Sequence, residues 1–489
     1  MIADALQILL KIFFLLNIFF TIIIIFFERK NPTSTWAWII VLNIFPIFGF
    51  IIYLIFGLEA RKHKIFMLKA KHDYDLYTEY MALVKNENYF IDPQVALQNK
   101  KNILQIPGYE NFSDMVYMNY QTNFSCVTLN NKLTLFHDGQ SKFDSLFDDI
   151  NNARNFIHIQ YYIFRDDELG NKILDLLAQK ANKGLEVRLL VDGMGCIKTH
   201  KHFFDKLIKS GGKVLTFIPP RFFRANFRNH RKICVIDGEI GYVGGFNIGD
   251  EYLGKSKKFN FWRDSHIKIY GDAVKQLELR FIMDWNFCDG QNIKLNKNYF
   301  PRIQTVNCTT MQIVSSGPDN RWPSIQYDYF KMINEANKSI FIQTPYFIPE
   351  ESLLEALKVA ALSGIDVRII IPAKPDHPFV YWASLSYIGE LLEAGAKCYK
   401  YEKGFIHSKL ILIDGKISSV GTANMDIRSF KLNFEINSFI YDKDVTEQFE
   451  NKFIEDLDDS SQILKEIYLQ RSNFIKIKES ISRLFSPLL

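Results

Sequence analysis

The chain has 489 residues, too many for one ordinary domain and enough for two or three. Hydrophobic residues make up 48% and charged residues 23%, an ordinary globular balance that leaves a sizeable core after any membrane segment is set aside. The net charge of +5 is too mild to argue for nucleic acid by itself and suits work beside an anionic membrane, while six scattered cysteines, none in a CxxC pair or a zinc-spaced cluster, argue against a disulfide framework and for a reducing compartment.

Residues 5–27 are almost continuously apolar, interrupted by Gln7, Lys11, Asn17 and Thr21. A second run, residues 36–57, is broken mainly by Asn43 and Pro46. Each has about the 20 residues needed to cross a bilayer. With the polar turn 28–35 between them, they predict a transmembrane helical hairpin over residues 1–60. A cleaved signal peptide fits less well: no positive charge precedes Lys11, no small-residue cleavage site follows, and a second apolar run comes at once. Trp36 and Trp38 suit the headgroup level. The turn carries Arg29 and Lys30, whereas Arg61, Lys62, Lys64, Lys69 and Lys71 follow the second run. The larger basic excess stays cytoplasmic, which predicts the bulk of the chain on that side. Residues 61–115 read as a linker.

The rest is an internal repeat. Ile150-Asn151-Asn152-Ala153 followed by Phe156-Ile157-His158-Ile159-Gln160 is echoed by Ile333-Asn334-Glu335-Ala336 followed by Ser339-Ile340-Phe341-Ile342-Gln343. Leu185-Glu186-Val187-Arg188 is echoed by Ile365-Asp366-Val367-Arg368, each after a helical pattern closed by Gly184 or Gly364. Strands alternating with helices predict an α/β body. Its period is near half the body, so the expectation is a duplicated domain, residues 116–300 and 301–489, rather than a solenoid.

The same polar set stands in both copies. His230, Lys232 and Asp237 are followed by Gly244, Gly245 and Asn247; His407, Lys409 and Asp414 are followed by Gly421, Thr422 and Asn424, at identical spacing. Each lysine opens a β-rich run that ends in a hairpin signal, Asp237-Gly238 or Asp414-Gly415. Residues two apart on a strand share a face, so each histidine sides with its lysine, and each aspartate faces away toward a structural role. Asn247 and Asn424 fall on the returning strand, where they rejoin the histidine face. Two imidazoles, two ammonium groups and two amides suit a phosphodiester. Lysines and asparagines hold its anionic oxygens, one imidazole attacks phosphorus, and the other moves the proton. Two lysines can replace a metal, and no carboxylate cluster suggests one, so neither metal nor cofactor is expected. One histidine on a strand is usually structural; the same set recurring in matching places is not.

These residues resemble the HxKxxxxD signature of the phospholipase D superfamily, present twice. Glu28-Arg29-Lys30-Asn31-Pro32-Thr33, Trp36-Ala37-Trp38, Arg228-Asn229-His230-Arg231-Lys232, Trp262-Arg263-Asp264, Ser316-Gly317-Pro318-Asp319, Asn433-Phe434-Glu435 and the closing Ser486-Pro487-Leu488-Leu489 narrow it. Together they are similar to bacterial cardiolipin synthases over essentially the whole chain. The resemblance implies two α/β sandwich halves sharing one active site in a multi-pass protein of the inner membrane. It implies transfer of a phosphatidyl group between two phosphatidylglycerol molecules, giving cardiolipin and glycerol through a phosphohistidine. It implies His230 as nucleophile and His407 as acid and base, although the near symmetry leaves that choice open. It gives Asp237 and Asp414 a place in the catalytic signature, and Asp264 and Glu435 the task of orienting a histidine. Thr422, where the first copy has Gly245, offers a hydroxyl to a phosphate.

Arg221, Arg224, Arg228 and Arg231 interleave with Phe217, Phe222, Phe223 and Phe227, a mixture suited to anionic headgroups or to a solvated face. The tail 474–485 is amphipathic, either interfacial or packed on the body. The competing functions are another enzyme of the superfamily (hydrolase, phosphatidylserine synthase or nuclease), donor use of phosphatidylethanolamine, and a non-enzymatic membrane scaffold. Tandem apolar runs favour lipid over nucleic acid as partner, and the intact polar sets count against a scaffold.

Overall fold

The computed structural model describes residues 2–26, 32–44, 47–49, 53, 60–84, 112–217, 227–256, 258–288, 292–303, 305 and 309–486. They fall into two compact units, one of residues 1–72 with 219–227 and one of residues 73–218 with 228–489.

In the smaller unit, helices Ile2–Phe26 and Pro32–Ile44 pack against each other. Ile24, Leu42 and Tyr53 form a small buried cluster with Phe20 and Trp38, and Asn17 donates to the Leu42 carbonyl at 2.8 Å. The expected pair of membrane spans is not borne out. Pro32–Ile44 has 13 residues, and residues 45 and 46, which follow it, lie outside the described residues. In the first helix the side chains at 2–6, 9 and 10 lie outside the described residues. Among the described residues no helix is long and apolar enough to cross a membrane.

The stretch expected to be a linker begins with a 25-residue helix, Ala60–Val84. Its last turns belong to the larger unit: Asp73 pairs with Arg280 at 2.6 Å, Tyr77 stacks on Phe124, and Tyr80 meets Phe300.

The larger unit holds two sheets of the same topology. The first runs, in spatial order, Asn131–Phe136, His266–Gly271, Ile240–Gly244, Ile233–Ile236, Phe156–Tyr161, Glu186–Asp192, Lys213–Phe217. The second repeats that order: Thr310–Ser316, Asn433–Tyr441, Ile417–Gly421, Leu410–Ile413, Ser339–Gln343, Asp366–Pro372, Lys397–Tyr401, with Ser460–Gln462 added at the edge. The central strands are buried throughout, as their unbroken Ile, Val and Leu runs require. Helix Val274–Cys288 covers the first sheet and Lys443–Asp458 the second. The glycines that close the repeated helices sit at φ +89°, at Gly184 and Gly364 alike, a conformation that needs no Cβ.

The two halves are stitched by two short parallel ladders. Arg228–Asn229 pairs with Asn433–Phe434, and Phe405–Ile406 pairs with Trp262–Arg263. Each ladder ends at a histidine: His230 N–H donates to the Phe434 carbonyl at 2.9 Å, and His407 N–H to the Arg263 carbonyl at 2.7 Å.

Candidate active site

The stitching places each motif histidine against a carboxylate of the opposite half. His230 Nδ1 lies 2.9 Å from Glu435 Oε2, and His407 Nδ1 lies 2.6 Å from Asp264 Oδ2. Both carboxylates are fully buried, whereas the histidines keep 9% and 8% exposure. A carboxylate on Nδ1 fixes the proton there and leaves the Nε2 lone pair as the reactive edge. The sequence identifies both acids but not the crossing, because spacing along a chain does not say which half a side chain faces.

Lys232 and Lys409 are buried behind the histidines, each donating to its own histidine's carbonyl, Lys232 at 2.6 Å. Burial lowers Lys232 to about 7 and Lys409 to about 8, and each ammonium depresses the other motif's imidazole. The two motifs therefore share one electrostatic site. Burial also lowers His230 and His407 to about 4 each, partly opposed by Glu435 and Asp264. Burial alone would raise Glu435, but the His230 imidazole and the Lys232 ammonium reverse this and hold it below the usual carboxylate range. Both imidazoles are thus neutral near pH 7, as a nucleophile must be. Ring contacts hold their planes: Tyr162 on His230 at 5.0 Å and Trp262 on His407 at 5.3 Å.

Other expected site residues prove to be supports. Asp237 and Asp414 do not reach the site and are corrected to a structural role. Each stands at φ +56° in its hairpin turn and caps the start of a neighbouring strand. Asp237 accepts from the backbone N–H of Arg154, Asn155 and Phe156, and Asp414 from those of Asn337, Lys338 and Ser339. The odd spacing from the histidine had pointed that way. Thr422 offers its hydroxyl to Glu435 at 2.5 Å. Its counterpart Gly245 leaves room for the acid instead: a Cβ there would sit 1.9 Å from Asp264 Oδ1. Asn247 is committed within the protein, accepting from Ile163 N–H at 3.1 Å and donating to the Tyr252 hydroxyl at 2.9 Å. Asn424 donates to Asp426 at 3.3 Å, and its buried Oδ1 has no partner among the described residues. Of the two amides, it is the one with an uncommitted atom. Of the basic cluster, Arg221, Phe222, Phe223 and Arg224 lie outside the described residues, as do residues 487–489 of the closing motif.

A further layer escaped sequence reasoning. Arg231 bonds Asp284 at 2.6 Å and the Glu435 carbonyl at 3.0 Å; Arg263 bonds Asp456 at 2.9 Å and the Asp264 carbonyl. Gln160 and Gln343 each join the respective aspartate at 2.8 Å. A buried guanidinium therefore grips the main chain of each orienting acid. The recurrence of Gln160 and Gln343 at the ends of the repeated strands was the signal.

This duplicated body, with a histidine and a lysine from each half meeting in one site, has the phospholipase D architecture. A phosphatidylserine synthase from Haemophilus influenzae shares the fold, with a TM-score of 0.60 at 16% identity, over 77% of this chain and 100% of that one. The family described as "Cardiolipin synthase, PLD-like domain" matches residues 146–285 and 329–457, and "Phospholipase_D-nuclease N-terminal" matches residues 15–57. Cardiolipin synthases from Oceanobacillus iheyensis, Listeria monocytogenes and Staphylococcus aureus are 49%, 48% and 48% identical to it. The matches cover 99%, 98% and 97% of this chain and 99%, 99% and 95% of those relatives. The chain belongs to the bacterial cardiolipin synthase family of the phospholipase D superfamily.

Proposed function

We propose that this protein is a phosphatidyltransferase that makes cardiolipin from two molecules of phosphatidylglycerol and releases glycerol. The observation that carries the chemistry is the crossed pair of carboxylate-backed histidines between two buried lysines. In this reading His230 Nε2 attacks phosphorus of the first lipid, and the P–N bond forms as the P–O bond to glycerol breaks. His407, neutral in the free protein, takes up a proton on Nε2 as the anionic phosphodiester binds beside it and gives that proton to the departing glycerol oxygen. The neutral His407 then takes the proton of a hydroxyl on the second lipid, whose oxygen displaces His230 from phosphorus. Lys232 and Lys409 balance the charge on the equatorial oxygens, with the second Nδ2 hydrogen of Asn424 as a further donor. Glu435 and Asp264 stabilise the imidazolium form of each histidine as it appears. No metal or cofactor takes part.

The domain division follows the same reading: an N-terminal membrane segment over 1–60, a connecting stretch over 61–115, and halves at 116–300 and 301–489. The apolar side chains that Ile2–Phe26 turns outward, among them Phe14, Leu15, Phe19 and Phe26, support association with the bilayer. The basic excess after residue 60 supports a body on the cytoplasmic side of the inner membrane.

The test is turnover in mixed micelles with phosphatidylglycerol as the only phospholipid, with and without chelator. Equal amounts of cardiolipin and glycerol, unaffected by chelator, are expected. Phosphatidic acid without cardiolipin means that water is the acceptor and sinks the synthase reading. His230→Ala and His407→Ala should each abolish turnover while the protein remains folded.

A further inference from the structure

The tail helix Asn473–Leu484 is turned the opposite way from an ordinary surface helix. Its polar Glu479 and Ser482 face the body and are buried, at 2% exposure each. Glu479 accepts from Arg471 at 2.8 Å, and Ser486, just beyond the helix, meets the Tyr387 hydroxyl at 3.0 Å. The apolar stripe, Phe474, Ile477, Ile481 and Leu484, points outward at 45–79% exposure. These positions fall on one side of a 3.6-residue turn. Lys476 and Lys478 flank the stripe on its two sides, Lys478 resting over the Trp382 and Phe474 rings. The only nearby acid on the helix is the inward, arginine-paired Glu479, so the outward charge is positive.

We propose that this outward face is a second membrane contact, seated at the headgroup level of an anionic bilayer. An apolar centre with basic flanks is the pattern of an interfacial helix, whose lysines reach up to lipid phosphates while the stripe enters the acyl boundary. The helix also lies where such a contact serves the reaction. It runs parallel to helix Pro378–Glu393, with Lys478 at Trp382 and Arg483 at Tyr387. That helix starts beside Asp376, which is near enough to Lys409 to oppose its deprotonation. Phe379 is exposed on the first turn of that helix. In this arrangement the tail holds the catalytic body against the surface from which both lipids come.

The experiment uses the full chain with bimane on Ile477→Cys, the unsubstituted chain as the labelling control, and the same label on Gln448→Cys as a position on another helix. Vesicles carry phosphatidylglycerol with a nitroxide high on the acyl chain. Quenching of about half the signal at 477 and little at 448 is expected from insertion to roughly 5–10 Å. Equal quenching at both positions, or none at 477, overturns the proposal. So does shielding of the 477 label that grows with protein concentration without lipid, which would mean that a second copy covers the face. A second arm rests on the cardiolipin-synthase reading. Phe474→Asp, Ile477→Asp and Ile481→Asp together should lower turnover of long-chain phosphatidylglycerol in vesicles about tenfold, since the stripe no longer partitions. Turnover of monomeric short-chain lipid should be unchanged. Equal loss on both substrates means that the tail supports the body and overturns the proposal. The quenching arm needs no turnover, so it stands or falls apart from the proposed activity.

Discussion

Glu435 and Asp264 do the same work with different support. Glu435 takes a hydroxyl from Thr422, while Asp264 is packed against Gly245 with no space for a Cβ. Glu435→Gln would remove the charge that holds the His230 tautomer. We expect kcat to fall by about 10²–10⁴, as loss of a tautomer-fixing carboxylate does elsewhere, with the circular dichroism spectrum intact. Gly245→Ala drives a methyl into Asp264 and should cost about 100-fold through misplacement of the acid. Thr422→Val, which removes one hydrogen bond to Glu435, should cost about tenfold. Steady-state kinetics of the three variants checks that order. The histidines and lysines were legible in the sequence because they recur at identical spacing, whereas Asp264 and Glu435, at unequal distances from their histidines, came from the family resemblance. The mismatch of Gly245 with Thr422 was legible too, but not its meaning, since nothing in spacing shows that the hydroxyl serves an acid rather than a phosphate.

Among the elements, the short ladders at Asn433–Phe434 and Trp262–Arg263 carry the site. They are two residues long and say little as β-propensity, so sequence reading placed the sheets and missed the stitches. The parallel strand runs, the glycine-closed helices and the Asp-Gly turns were all legible, because each has a local physical signature. Buried ion pairs reinforce the stitches. Arg231→Ala leaves Asp284 buried beside a lost partner and frees the Glu435 main chain. The expected loss is about 3–5 kcal/mol of unfolding free energy, read as a lower urea midpoint. The N-terminal runs mark the limit of hydropathy: composition pointed to two spans, but among the described residues no helix is long and apolar enough to cross a membrane.

For the whole molecule, burial sets the pH range. Lys232 and Lys409 titrate near 7 and 8 in the free protein, well below the ordinary lysine value of about 10.4. Activity that needs both ammonium groups should therefore fall in kcat/KM as pH rises through 7–8. A bound phosphodiester raises both lysines, so the alkaline limb of kcat should lie at higher pH than that of kcat/KM. The histidines act on stability with the other sign. Their folded values near 4 lie below the unfolded 6.5, so the unfolded chain takes up protons first. The histidines' share of stability is full above about pH 6.5 and should be lost as pH falls toward 4. Chemical denaturation at stepped pH measures that slope.

The crossed pairs also set an order of events on the ribosome. As the chain emerges, His230 appears first and waits more than 200 residues for its acid. Asp264 follows and waits for His407, so the later histidine is the first to be equipped. The earlier one is completed only when residue 435 has emerged. A polypeptide cut short between residues 230 and 435 carries a bare imidazole at His230 and no finished centre.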